Sequence, residues 1–183
     1  MAAERLHQET IEVHVTELQQ LFNAIDPSPF RERDLDPNAE EYIVGWAREV
    51  ARDTDLELAV YVDRLADPAA ATETLRTAVR DFFAHRGRTA RQQLSQTFRI
   101  GRISLVIGLA FLALALGLGD LIANALKGRG FGEVLRESLV IGGWVAMWKP
   151  LQVFLYDWWP IRSDARLFQR LSSMPVRIVE HIH

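Results

Sequence analysis

Two ionisable residues interrupt otherwise uncharged runs of this chain, and their placement is where chemistry would first be sought. Lys149 stands between Ser138–Trp148 (SLVIGGWVAMW) and Leu151–Tyr156 (LQVFLY), with Pro150 beside it. Asp120 follows Ile103–Gly119 (ISLVIGLAFLALALGLG), a run of 17 residues without a charge. At bilayer depth an ammonium group costs ~2.5–3.5 kcal/mol on insertion scales, so a charge kept there is a candidate for function. Lys149 can attract an anion, enter a buried ion pair or contact lipid headgroups. It can also snorkel toward the interface, because Trp159 lies about ten residues further on, ~15 Å at helical rise. Asp120 can pair with Lys127, Arg129 or Arg136, or serve a proton relay or cation path. Pro150 removes a backbone hydrogen bond and is expected to kink its helix.

These positions matter only if the runs that hold them are membrane spans. A helix of ~20 apolar residues crosses a ~30 Å hydrocarbon core. Residues 103–126 are expected to form a first transmembrane helix and 138–159 a second, joined by a short external loop over 127–137. Tyr156, Trp158 and Trp159 then form an aromatic anchor at one headgroup level. Small residues recur at four-residue spacing (Ser104/Gly108, Ala113/Gly117, Ala115/Gly119, Ser138/Gly142/Ala146), which allows close helix approach. Gly108, Gly117, Gly119 and Gly142 are the packing candidates.

Charge sets the expected orientation. The chain has 183 residues, 49% of them hydrophobic and 25% charged, with formal net charge −3. That average conceals three zones. Residues 1–70 carry 16 Asp/Glu against 6 Arg, residues 71–102 carry 2 against 7, and residues 103–183 carry 6 against 8 Lys/Arg. Arg86, Arg88, Arg91, Arg99 and Arg102 precede the first span, and Arg162, Arg166 and Arg170 follow the second. The loop holds Lys127, Arg129 and Arg136. Eight basic residues against three place both termini in the cytoplasm by the positive-inside rule. The five arginines before the first span suit anionic lipid headgroups, each worth ~1 kcal/mol near the surface. An acidic head argues against a nucleic-acid partner.

The acidic head reads as α+β. Ile11–Val15 alternates with period two, as a half-buried strand does. Glu17–Ile25 suggests a short helix with Leu18, Leu21 and Phe22 on one face. Asp36-Pro37 is a helix-start signal; the helix it opens presents Tyr42, Ile43, Trp46, Ala47 and Val50 as its packed face. Leu56–Val62 gives a second strand. Asp67-Pro68 opens a helix carrying Leu75, Ala78, Val79, Phe82 and Phe83, expected to run as one rod, or two nearly coaxial ones, to residue 126. Ser163–Leu171 is helical in pattern, and Val176–Val179 is expected as a third strand returning to the sheet. Two strands alone are marginal, so that third strand, or pairing between protomers across an open edge, completes the sheet. The organisation expected is therefore a cytoplasmic α+β head (1–66), a basic stalk helix (67–102), the two-helix transmembrane hairpin, and a C-terminal helix and strand (160–183).

Other constellations carry less. Asp26, Glu32, Asp34 and Asp36 could offer oxygen ligands to a hard cation, but they lack an EF-hand's glycine turn and terminal glutamate; capping and pairing with Arg31 and Arg33 explain them more simply. His14, His181 and His183 make a poor metal set when two sit at a chain end. There is no cysteine, so thiol chemistry and disulfides are excluded. No Walker loop, GxSxG, HExxH or GxGxxG occurs, and no cofactor or metal is expected. With 19 Arg, 2 Lys and abundant Ala, the composition suits a high-GC bacterium. The resulting expectation is a non-enzymatic accessory, assembly or scaffold subunit of a bacterial inner membrane that associates with itself or another membrane protein. The alternative is a homo-oligomeric channel or pore with two spans per protomer.

Overall fold

The computed structural model describes residues 8–23, 34–51, 54–63, 68–125 and 130–180. Three strands and four helices follow one another as β1 (Gln8–Val15), α1 (Pro37–Glu49), β2 (Asp55–Val62), α2 (Pro68–Ala125), α3 (Gly130–Gln152), α4 (Trp158–Ser173) and β3 (Val176–Glu180). A 3-10 turn at Leu18–Leu21 and a π turn at Val153–Asp157 complete the set. The chain divides into two compact units, one of residues 1–89 and 164–183, the other of residues 90–163.

The first unit is built on a three-stranded, fully parallel sheet with β2 in the middle. Period-two patterning places Ile11, Leu58 and Val176 in one row, and Val13, Val60 and Ile178 in the next. This face is the core, where it meets Ile43, Val44 and Ala47 of α1, Leu75, Val79 and Phe83 of α2, and Leu167 and Leu171 of α4. Residues 68–89, the first part of the expected stalk, thus furnish a large share of the core. Parallel sheets are usually covered on both faces. Here the second face is polar and pairs with itself. His14 stacks on its cross-strand neighbour Tyr61 at 4.5 Å, the Tyr61 hydroxyl donates to Glu12, and Glu57 accepts from Gln8 and pairs with Arg177 at 3.0 Å.

Helix starts follow the capping signals. The Asp36 carboxylate accepts from the Asn38 N–H at 2.9 Å with Pro37 at the first helical position, which satisfies an amide the helix cannot. α2 begins at Pro68 and runs unbroken to Ala125; Asp67 lies outside the described residues. Arg170 holds the turn between α1 and β2, its guanidinium donating to the carbonyls of Ala51 and Thr54.

Three expectations need correction. Glu17–Ile25 does not form a helix over its described part: after one 3-10 turn Phe22 is extended and bridges Leu35, with Asn23 N–H on Asp34 O and Asp36 N–H on Leu21 O. These long-range backbone bonds replace the ladder a helix would have made. Tyr42 and Trp46 are exposed, because α1 turns Ile43, Val44 and Ala47 to the core instead. Helical structure also does not stop at Trp158-Trp159-Pro160. It passes through the π turn into α4, which carries Pro160 within it.

The core face should therefore dominate the stability of this unit. Leu58→Ala, at a fully buried position of the central strand, is expected to cost about 2–5 kcal/mol. His14→Ala, on the polar face, should cost less than about 1 kcal/mol. Urea unfolding of the two variants in detergent, followed by circular dichroism, measures the difference.

Candidate functional site in the apolar helices

Two helical stretches are long and apolar enough to cross a membrane, within 70–122 and within 132–173. In the second unit they pack antiparallel. Gly101 meets Val153, Gly108 meets Ala146 and Met147, Leu112 meets Gly143, and Gly119 meets Arg136. Outside this seam the exposed surfaces are mostly apolar, with Val106, Ile107, Leu114 and Leu121 on α2 and Ile141, Trp144, Val145 and Trp148 on α3.

Glycine sets the closeness of the seam at two points. A Cβ at Gly143 would stand 2.6 Å from Leu112 Cδ1 and 3.3 Å from Leu112 Cα. A Cβ at Gly101 would stand 2.6 Å from Val153 Cγ1, and Val153 is β-branched with little rotamer freedom to yield. Among the glycines singled out from spacing, Gly108 and Gly119 face the opposite helix, whereas a side chain at Gly117 or Gly142 would meet nothing within 4 Å. Gly101 and Gly143 fall outside the small-xxx-small pairs, so spacing alone does not point to them.

Backbone irregularity is concentrated beside Lys149. Pro150 has no N–H for the Ala146 carbonyl one turn earlier, and that oxygen faces α2 at Gly108. Pro150 itself is fully buried. The π turn follows within three residues, a common accompaniment of a disturbed helix ladder. Trp158 compensates part of it, its indole N–H donating to the Phe154 carbonyl at 2.7 Å. The same indole packs on Phe98 at 6.0 Å and lies beneath the Arg162 guanidinium at 5.6 Å. Trp159 stacks beside it, and Tyr156 and Trp159 are exposed.

The ionisable candidates separate clearly. Asp120 pairs with Arg136 Nε at 2.9 Å, and both are exposed; Arg136 belongs to α3 rather than to a loop. Lys149 is exposed, and no carboxylate of the described residues lies within ion-pair distance of it. Arg86 belongs to the first unit, where it pairs with Glu40 and covers the Phe82 ring. Arg88, Arg91, Arg99 and Arg102 are exposed along α2, Arg102 also donating to the Phe98 carbonyl. Asp26, Glu32, His181 and His183 lie outside the described residues. Among the described residues no group of three His, Asp or Glu is placed to hold a metal ion.

No protein-family model, curated protein or solved structure matches the chain. What the coordinates define is a class: a mixed α+β protein with three parallel strands and two helices of membrane-crossing length and composition.

The seam predicts an asymmetry among glycines. Gly101→Val and Gly143→Val are expected to weaken the helix pair by about 1–3 kcal/mol, while Gly117→Ala and Gly142→Ala leave it unchanged or slightly stabilised. Unfolding of the reconstituted protein in mixed micelles of rising dodecyl sulfate content checks this.

Proposed function

We propose that this chain is a non-enzymatic integral membrane protein of a bacterial inner membrane. Its α+β unit lies in the cytoplasm, α2 and α3 cross the bilayer as a hairpin, and the whole acts as an accessory, assembly or scaffold subunit. One observation carries the reading. The first unit is assembled from residues on both sides of the second, since β3 pairs with β2 although 90–163 intervene. A segment that leaves and rejoins the same folded unit crosses a membrane an even number of times, and it contains two suitable helices. Orientation rests on the arginines that flank both ends of that segment. The apolar outer faces of α2 and α3 suit lateral packing in lipid or against another subunit.

The absence of cysteine makes the topology directly testable. In intact cells, a membrane-impermeant maleimide should label Glu133→Cys from outside, and Asp63→Cys only after lysis. Labelling of both from the same side would overturn the hairpin. The mass and composition of the complex, extracted gently from its own membrane, then test the role. A stoichiometric second protein is the expected result. A homogeneous ring of this chain alone would overturn the accessory reading in favour of a pore.

A further inference from the structure

The exposed side of α3 is not uniformly apolar. Val145, Lys149 and Gln152 recur at intervals of four and three residues within α3, which puts them along one face, and Tyr156 follows in the π turn. That face is distinct from the one Gly143, Ala146, Met147 and Val153 turn to α2. All four are exposed, Val145 at 67% and Tyr156 at 70%. Among the described residues, Lys149, Gln152 and Tyr156 make no side-chain hydrogen bond or ion pair. Trp144 and Trp148, both exposed, flank the line on its neighbouring face. An ammonium, a carboxamide and a phenol in one row within a span are expensive when they face hydrocarbon, and such groups are ordinarily turned to protein.

We propose that this face docks a transmembrane helix of a second protein carrying a carboxylate at the depth of Lys149, with Gln152 and Tyr156 supplying hydrogen bonds alongside. The proposal rests on the membrane-spanning reading above. Charge complementarity selects the occupant. A second copy does not supply it: copies side by side in one membrane hold equal residues at equal depth. The stretch of α2 beside Lys149 runs between Gly101 and Gly108, and it contains Arg102 and no acidic residue. Asp120 lies beyond that stretch and is already paired with Arg136. A lipid phosphate would account for Tyr156 near the interface, but leaves the Gln152 amide without a reason.

The test uses the full chain reconstituted in phosphatidylcholine vesicles, labelled through a single Asp63→Cys. The probe is a synthetic Leu/Ala transmembrane helix with one central Glu, compared with the same helix carrying Leu there, and binding is read by energy transfer. The Glu helix is expected to bind roughly tenfold tighter than the Leu helix. Lys149→Met should abolish the difference, Lys149→Arg should retain it, and Gln152→Leu should reduce it. Equal binding of the two helices, or a preference that survives in Lys149→Met, would overturn the surface. So would loss of the preference on adding phosphatidylglycerol, which would assign Lys149 to lipid headgroups. A chain extracted from the vesicles by alkaline carbonate would overturn the membrane reading and this surface with it. An inserted chain indifferent to the Glu would overturn the surface alone.

Discussion

The pairing of β3 with β2 is the constraint on which the rest of this molecule depends. Among the described residues, β2 is the only strand with two neighbours. Without β3, its Leu58 and Val60 lose the row partners Val176 and Ile178, and the sheet falls to two strands, a marginal number without further support. α4 is tied into the same core through Leu167 and Leu171, and Arg170 fastens it to carbonyls of the turn between α1 and β2. The two apolar helices are therefore an insertion into a fold that closes around its own ends.

Within the insertion, close packing and backbone irregularity are matched to each other. Pro150 removes one bond of the α3 ladder on the side that meets α2, and Gly108 on α2 leaves room for the carbonyl it frees. The π turn brings Val153 against Gly101 and is steadied by the Trp158 indole. Trp158 thus works as an internal hydrogen-bond donor as well as an aromatic surface, a double use that spacing and composition do not reveal.

Much of the fold could be read from local pattern, and the parts that could not share a cause. Period-two alternation locates β1 and β2, and Asp36-Pro37 marks the start of α1, because each signal acts within a few residues. Strand direction was not legible, since parallel pairing depends on crossover connections rather than on any strand's own residues. Helical spacing of apolar residues puts Tyr42 and Trp46 on the packed face of α1, whereas packing chooses a narrower stripe centred on Ile43, Val44 and Ala47. Phe22 and Leu35 bridge at long range, which no helical period across 17–25 could anticipate. In the candidate site, Lys149 and Asp120 stood out as charges in apolar runs. Gly101 and Gly143 did not, because their role is fixed by the partner helix.

Strand order also has a consequence in time. On a ribosome, β1 and β2 emerge first, and β3 follows only after about 110 further residues. At ~5–20 residues per second that is on the order of ten seconds. Through that interval β2 keeps one edge unpaired while both apolar helices are made and find their environment. The final strand thus acts as a latch. The sheet can close only after the intervening apolar helices have been made, which ties completion of the α+β unit to everything synthesised before β3.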